Sequence, residues 1–142
     1  MFTGRSALSL DGKGRMTLPV KWRAPFADVD GTFVVLTRHP DGCLLLFQRS
    51  MWAQFAQKIA ALPMSARDWQ RMFLGNASEQ EVDASGRLLI PPELREAVGL
   101  DKDVVMMGQG TKYEIWDAAR LKARDATLEG KEPPESIANF TI

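Results

Sequence analysis

One cysteine, Cys43, and one histidine, His39, are all that this 142-residue chain offers of the side chains most used in metal sites and nucleophilic catalysis. A single thiol builds no intramolecular disulfide and no cysteine cluster for zinc, and it fits a reducing compartment. The histidine falls in Arg38-His39-Pro40-Asp41-Gly42, a turn-forming stretch where a solvated imidazole is the ordinary outcome. No G-x-S-x-G, H-E-x-x-H, Walker or dinucleotide-binding pattern occurs. The expectation is therefore no enzyme, no metal, no cofactor and no small-molecule substrate. Apolar runs fall short of the ~18–20 residues that a membrane span needs. Met1-Phe2-Thr3-Gly4-Arg5 leads into alternating residues, unlike a signal peptide. A soluble cytoplasmic protein with no membrane partner is expected. Charge of one sign is also missing, since 18 Lys and Arg balance 18 Asp and Glu. That excludes a surface coated for any polyanion, so an anion site has to be a local concentration of cations.

What the chain does have is a copy of itself. Leu10-Asp11-Gly12-Lys13-Gly14-Arg15-Met16-Thr17-Leu18-Pro19 recurs 72 residues on as Val82-Asp83-Ala84-Ser85-Gly86-Arg87-Leu88-Leu89-Ile90-Pro91. Asp, Gly, Arg and Pro are identical, and the apolar positions are similar. The match continues from Trp22-Arg23 to Leu94-Arg95, then resumes with Val34-Val35-Leu36 against Val104-Val105-Met106 and Leu46-Phe47-Gln48 against Ile115-Trp116-Asp117. Four ordered points of similarity mark two copies of one supersecondary unit.

Each copy reads as a strand, a tight turn, a second strand, a short helix and a hairpin. In the turn the Asp carboxylate accepts from backbone N–H groups two or three residues on, and Gly14 and Gly86 supply positive φ. Strands follow over Met16 to Leu18 and Leu88 to Ile90, each stopped by proline. Pro92 to Val98 has the marks of a helix, with Gly99 after its end; the counterpart, Val20 to Ala24, is cut short by Pro25. The hairpins run from Phe33 to Phe47 around Pro40-Asp41-Gly42, and from Val104 to Trp116 around residues 108–111. Ser50 and Ser65 are expected to cap helices that carry Trp52, Phe55, Ile59 and Leu62, and Trp69, Met72 and Phe73, with Asp68 at a capping-box position. Asp117 is expected to cap a third, carrying Leu121 and Leu128. Strands apolar on one face cannot bury it alone, but two copies can pair around a pseudo-twofold axis and close a small barrel. The trailing aromatics then cover the barrel as core or meet a neighbouring subunit.

Arg15 and Arg87 directly follow the turn glycines in both copies. One reading is that each arginine bridges to the aspartate four residues earlier and only staples its loop. The other begins from charge: Arg5, Lys13, Arg15, Lys21 and Arg23 face a single carboxylate, Asp11, within residues 1–27. DNA is the economical polyanion for such a patch, because the arginine fork suits a phosphate or guanine O6 and N7. Few phosphate contacts per subunit bind weakly, so several subunits on repeated half-sites would have to act together.

Asp11-Gly-Lys-Gly-Arg15-x-x-x-Pro19 and Asp83-x-x-Gly-Arg87-x-x-x-Pro91 resemble the paired signature of the MraZ family. So do Phe73-Leu-Gly-Asn-Ala-Ser-Glu79 and Gly108-Gln109 with Lys112-Tyr-Glu-Ile-Trp-Asp117. The resemblance reaches to about residue 124. It implies an α+β, mainly β fold: a double-split, swapped-hairpin β-barrel of two internal repeats with peripheral helices, like those of AbrB, SpoVT and MazE. On this basis residues 5–52 are the first repeat, 53–78 a helical connection, 79–124 the second repeat and 125–142 a C-terminal extension. It further implies a ring-shaped homo-oligomer, nucleoid-associated, that regulates transcription, usually as a repressor. The target would be the promoter of the division and cell-wall gene cluster, met as tandem short G-rich repeats in double-stranded DNA. The family's DNA-contacting loop carries over to Asp11, Lys13, Gly14 and Arg15, and to Asp83, Gly86 and Arg87, and Arg5 is expected to join them in binding DNA. Arg15 ranks first, Lys13 second and Arg87 third. Ser85 replaces the cation in the second loop, whose role stays open between DNA and subunit contact. An antitoxin-like module with a protein partner is the alternative, against which two copies and a short tail count.

Overall fold

The computed structural model describes residues 1–23 and 32–140. The strands are β1 (Arg5–Ser9), β2 (Arg15–Thr17), β3 (Phe33–His39), β4 (Cys43–Gln48), β5 (Ser78–Glu81), β6 (Arg87–Leu89), β7 (Asp103–Gly108) and β8 (Tyr113–Asp117). The helices are α1 (Arg49–Ala60), α2 (Arg67–Gly75), α3 (Pro92–Ala97), α4 (Ala118–Ala126) and α5 (Glu135–Ala138), with a 3-10 turn at Met64–Ala66 before α2. Residues 20–23 are helical too, as expected; Ala24 and Pro25 lie outside the described residues.

The two copies exchange strands. A six-stranded antiparallel sheet runs β1-β7-β8-β4-β3-β5, and β2 pairs with β6 in a separate two-stranded ribbon. If each strand is replaced by its counterpart in the other copy, the sheet order reads the same backwards. The registers agree: Val34 lies opposite Gln48 as Val104 lies opposite Asp117, and Leu8 faces Val104 as Gln80 faces Val34. The sequence alignment of the two hairpins is thus the structural alignment. The fold is α+β, mainly strands, and neither copy completes a sheet without the other.

The core shows why. One buried cluster takes Leu10, Met16, Leu18, Trp22, Val34, Leu36, Leu44 and Leu46 from the first copy. Their equivalents Val82, Leu88, Ile90, Leu94, Val104, Met106, Tyr113 and Ile115 come from the second, together with Val98. Burial of a Leu-sized side chain is worth roughly 1.5–3 kcal/mol, and here each copy buries its apolar face against the other's. Tyr113 stacks on Phe2 at 4.2 Å between centroids and lies 4.9 Å from Trp22.

α1 and α2 form a hairpin against β3 and β4. Phe47, Trp52, Phe55 and Phe73 pack on one another, with centroid separations of 4.8 Å for Phe47–Phe55 and 5.3 Å for Phe55–Phe73. Gln70 Nε2 donates to the Ile59 and Leu62 carbonyls and ties the two helices together. Phe47 is buried, Trp52, Phe55 and Phe73 are half-buried against it, and Trp69 remains 48% exposed. α4 seats Leu121 on Cys43 and Trp116, and Asp117 caps it by accepting from Arg120 N.

Three helix details differ from expectation. β4 runs straight into α1, so Ser50 lies inside the helix and the N-cap position falls to Gln48. Ser65 sits within the 3-10 turn that starts directly after Pro63, whose fixed φ and extended backbone set the entry, and Ala66 precedes α2. Leu128 lies beyond the end of α4 and is 64% exposed, because Thr127 closes the helix with its hydroxyl on the Arg124 carbonyl. Among the described residues no helix is long and apolar enough to cross a membrane.

Candidate nucleic-acid interface

Each signature loop is built by its aspartate. In the first, Asp11 Oδ1 accepts from Lys13 N and Arg15 N, both at 2.9 Å, while Gly14 N donates to the Asp11 carbonyl at 3.0 Å. In the second, Asp83 Oδ1 accepts from Ser85 N and Arg87 N, again at 2.9 Å, and Gly86 N donates to the Asp83 carbonyl. Gly14 and Gly86 have φ of 80° and 78°, in the left-handed region that costs other L-residues roughly 1–2 kcal/mol. Both carboxyls are held below the usual carboxylate range. The largest cause is the backbone N–H of Arg15 or Arg87, reinforced by that residue's side chain and opposed by burial.

The arginines are both stapled and available. Arg15 Nε donates to Asp11 Oδ2 at 2.9 Å, and Arg87 Nε to Asp83 Oδ2 at the same distance. The staple therefore forms equally in the two copies. It occupies only the Nε edge: among the described residues no acceptor meets either pair of Nη groups, and the side chains keep 28% and 39% of their surface exposed. A guanidinium fixed at one edge has already lost most of its rotamer freedom, and its remaining N–H fork faces outward, pre-set for a bidentate acceptor.

The β2–β6 ribbon brings these two arginines together. Arg15 lies opposite Leu89, Met16 opposite Leu88, and Thr17 opposite Arg87. Side chains alternate along a strand, and here Met16 and Leu88 point into the core at 1% and 0% exposure. Arg15, Thr17, Arg87 and Leu89 therefore share the outer face. Arg15 and Arg87 are diagonal neighbours on it, about 7–8 Å apart at the backbone. A two-stranded ribbon of this kind fits the major groove, about 12 Å wide, where arginine reads guanine O6 and N7.

The other expected residues separate. Lys13 is exposed on the first turn and enters no ion pair among the described residues, so the loops differ in charge and not in shape. Arg5 stands apart. It lies at the far end of β1 from Asp11 and gives both guanidinium ends to Asp125, at 2.7 and 3.2 Å. Arg23, counted among the cations of the first copy, donates from Nε to the Leu18 carbonyl at 2.6 Å, and its counterpart Arg95 does the same to Ile90 at 3.0 Å. Thr17, Leu89 and Arg95 were not expected at the site. Alternation from Arg15 would have placed Thr17 on its face, and the repeat already aligned Arg95 with Arg23. His39 Nδ1 accepts from Asp41 N at 3.0 Å within its turn.

Comparison with known proteins gives a family for the whole chain. A family model described as "MraZ protein, putative antitoxin-like" matches twice, over residues 1–73 and 72–129. A Cupriavidus pinatubonensis protein named "Transcriptional regulator MraZ" is 51% identical over 142 residues, all of both chains. Proteins of the same name from Delftia acidovorans and Burkholderia mallei are 49% and 48% identical, also over the full length of both.

Proposed function

Because the chain belongs to the MraZ family, we propose that it is a transcriptional regulator that binds double-stranded DNA through the outer face of the β2–β6 ribbon. The observation that carries this reading is the pair of aspartate-stapled arginines, diagonal on one exposed face, with their Nη forks free. The relatives' name supports regulation of transcription; the geometry supports direct base contact. Arg15 and Arg87 reach base edges, and Lys13 meets a flanking phosphate. Asp11 and Asp83 hold the arginines in place, and Gly14 and Gly86 let the turns form. The second loop, lacking the lysine, contributes less. As each loop arginine is paired with its own aspartate, one subunit offers few phosphate contacts, and affinity comes from several copies on tandem short boxes. A ring of subunits satisfies that need, and apolar groups left at the surface, Met64 at 75% exposure and Trp69 among them, support self-association. We take the six-stranded sheet and the ribbon, packed on one core, as the family's swapped-hairpin barrel. Its targets are the promoter of the division and cell-wall gene cluster, repression is the direction proposed, and the nucleoid is its place in the cell.

The test is binding, by fluorescence anisotropy, to a duplex carrying the sequence just upstream of this protein's own coding region, against a shuffled duplex. Arg15→Ala should abolish the preference for the first duplex with the melting curve unchanged; wild-type preference in that variant overturns the reading. Wild-type affinity should fall with salt at a log–log slope of about −0.9 for each phosphate contacted. A flat salt response would point instead to a protein partner.

A further inference from the structure

We infer that Arg95 and Arg23 are positioning residues that reach across the repeat boundary, each bracing the DNA-reading turn of the other copy. This rests on the proposed DNA-binding role of the ribbon and deepens it.

The argument starts at Gly14. Its carbonyl accepts from Ile90 N of the second copy at 2.9 Å. The Ile90 carbonyl in turn accepts from Arg95 Nε at 3.0 Å. The Arg95 guanidinium then lies flat against Gly14, so close that a Cβ there would sit 2.5 Å from Arg95 Cζ. One peptide and one side chain of the second copy thus grip the first copy's turn from two directions. The first copy returns the arrangement. The Gly86 carbonyl accepts from Leu18 N at 2.8 Å, the Leu18 carbonyl accepts from Arg23 Nε at 2.6 Å, and the Arg23 guanidinium crowds Gly86 more tightly still.

Glycine is therefore required twice at each turn, once for positive φ and once for the space the guanidinium occupies. The consequence for recognition lies one residue on. Arg15 N and Nε and Lys13 N are held by Asp11, and Gly14 is the joint between them. If the joint swings, the Arg15 fork swings with it. A planar guanidinium can lie on a turn as a plate; a lysine ammonium, a compact hydrated point charge, cannot. Arg95 also lines an open cleft of about 350 Å³ beside Asp11 and Gly12, with Lys102 and Asp101, so the rival role for it is a direct phosphate contact. The two roles differ in what lysine can replace.

Two measurements decide. In the free protein, amide exchange followed by NMR should speed up at residues 13–15 in Arg95→Ala, with residues 85–87 unchanged, and Arg23→Ala should give the mirror pattern. Unchanged protection at 13–15 overturns the inference, whether or not the protein binds DNA. On the upstream duplex, Arg95→Ala and Arg95→Lys should each weaken specific binding roughly tenfold without changing the salt slope, and in an Arg15→Ala background neither should lower the residual, sequence-independent affinity any further. A general loss of structure would lower that residual affinity as well and overturn the inference. Wild-type binding by Arg95→Lys, with a shallower salt slope in Arg95→Ala, would make Arg95 a phosphate contact and remove the brace. If wild type shows no preference for the upstream duplex, the DNA reading falls, and the exchange pattern still tests the brace.

Discussion

At the scale of single residues, the loop aspartates make stability depend on acid. Asp11 and Asp83 titrate below the usual carboxylate range because backbone N–H groups and an arginine favour their charged form, and Asp125 does so because of Arg5. A carboxyl whose pKa is lowered by folding stabilises the folded state above its unfolded pKa of about 3.9 and loses that contribution as pH falls through the folded value. Thermal midpoints measured by circular dichroism should therefore be insensitive to these groups near neutrality and decline below about pH 4. Asp11→Asn with Asp83→Asn should flatten that decline, since the amide oxygen can still accept from the backbone while no longer titrating. Gly14→Ala is the harsher change. It should destabilise by at least about 1–2 kcal/mol from the left-handed φ alone, with the Arg95 collision added, and urea denaturation would register it. Residue identity in the sequence announced the turn but could not show charge neutralisation at a distance. Arg5 counts toward the N-terminal cluster by position, yet its partner Asp125 is 120 residues away. Arg23, also counted, turns out to be committed to a carbonyl and a glycine.

Among the elements, the β2–β6 ribbon separates stability from recognition by face. Its inner residues Met16 and Leu88 are buried, and truncation of either to alanine should cost about 2–5 kcal/mol. Its outer residues Thr17 and Leu89 are exposed. Thr17→Glu or Leu89→Glu should leave the melting midpoint within a degree or two while sharply weakening DNA binding, because a carboxylate placed beside the arginines repels phosphate. Tight DNA binding by both variants would move the interface elsewhere. This ribbon was only half legible in the sequence. Both strands and both turns could be placed from the Asp-x-x-Gly-Arg pattern and the flanking prolines, but not their pairing with each other, because a three-residue strand carries no mark of its partner. The missed caps at Ser50 and Ser65 have a similar cause, for capping preference is local while the start of each helix was set by the strand or proline before it.

For the molecule as a whole, strand exchange removes the independence of the two repeats. β1 depends on β7, and β5 on β3, for every ladder hydrogen bond they make. A piece comprising residues 1–75 should accordingly either remain unfolded or pair with a second copy of itself, whose β3 would take the place of β7. Sedimentation combined with circular dichroism would reveal which, and a folded monomer would contradict the exchanged topology. That two copies were needed was readable from the repeat and its one-sided apolar strands. That they would interleave was not, since hydrophobic pattern tells a strand which face to bury and not whose edge to join.

The interleaving also sets a timetable. β1 is complete by residue 9, but its ladder partner is not finished until residue 108. At roughly 5–20 residues per second, the ribosome delivers that partner some 5–20 s later. Through this interval the nascent chain holds unpaired strand edges and an uncovered apolar face, the features that invite wrong association. A polypeptide whose synthesis stops before the last hairpin is thus left with open edges, and its nearest remedy is another chain halted in the same way.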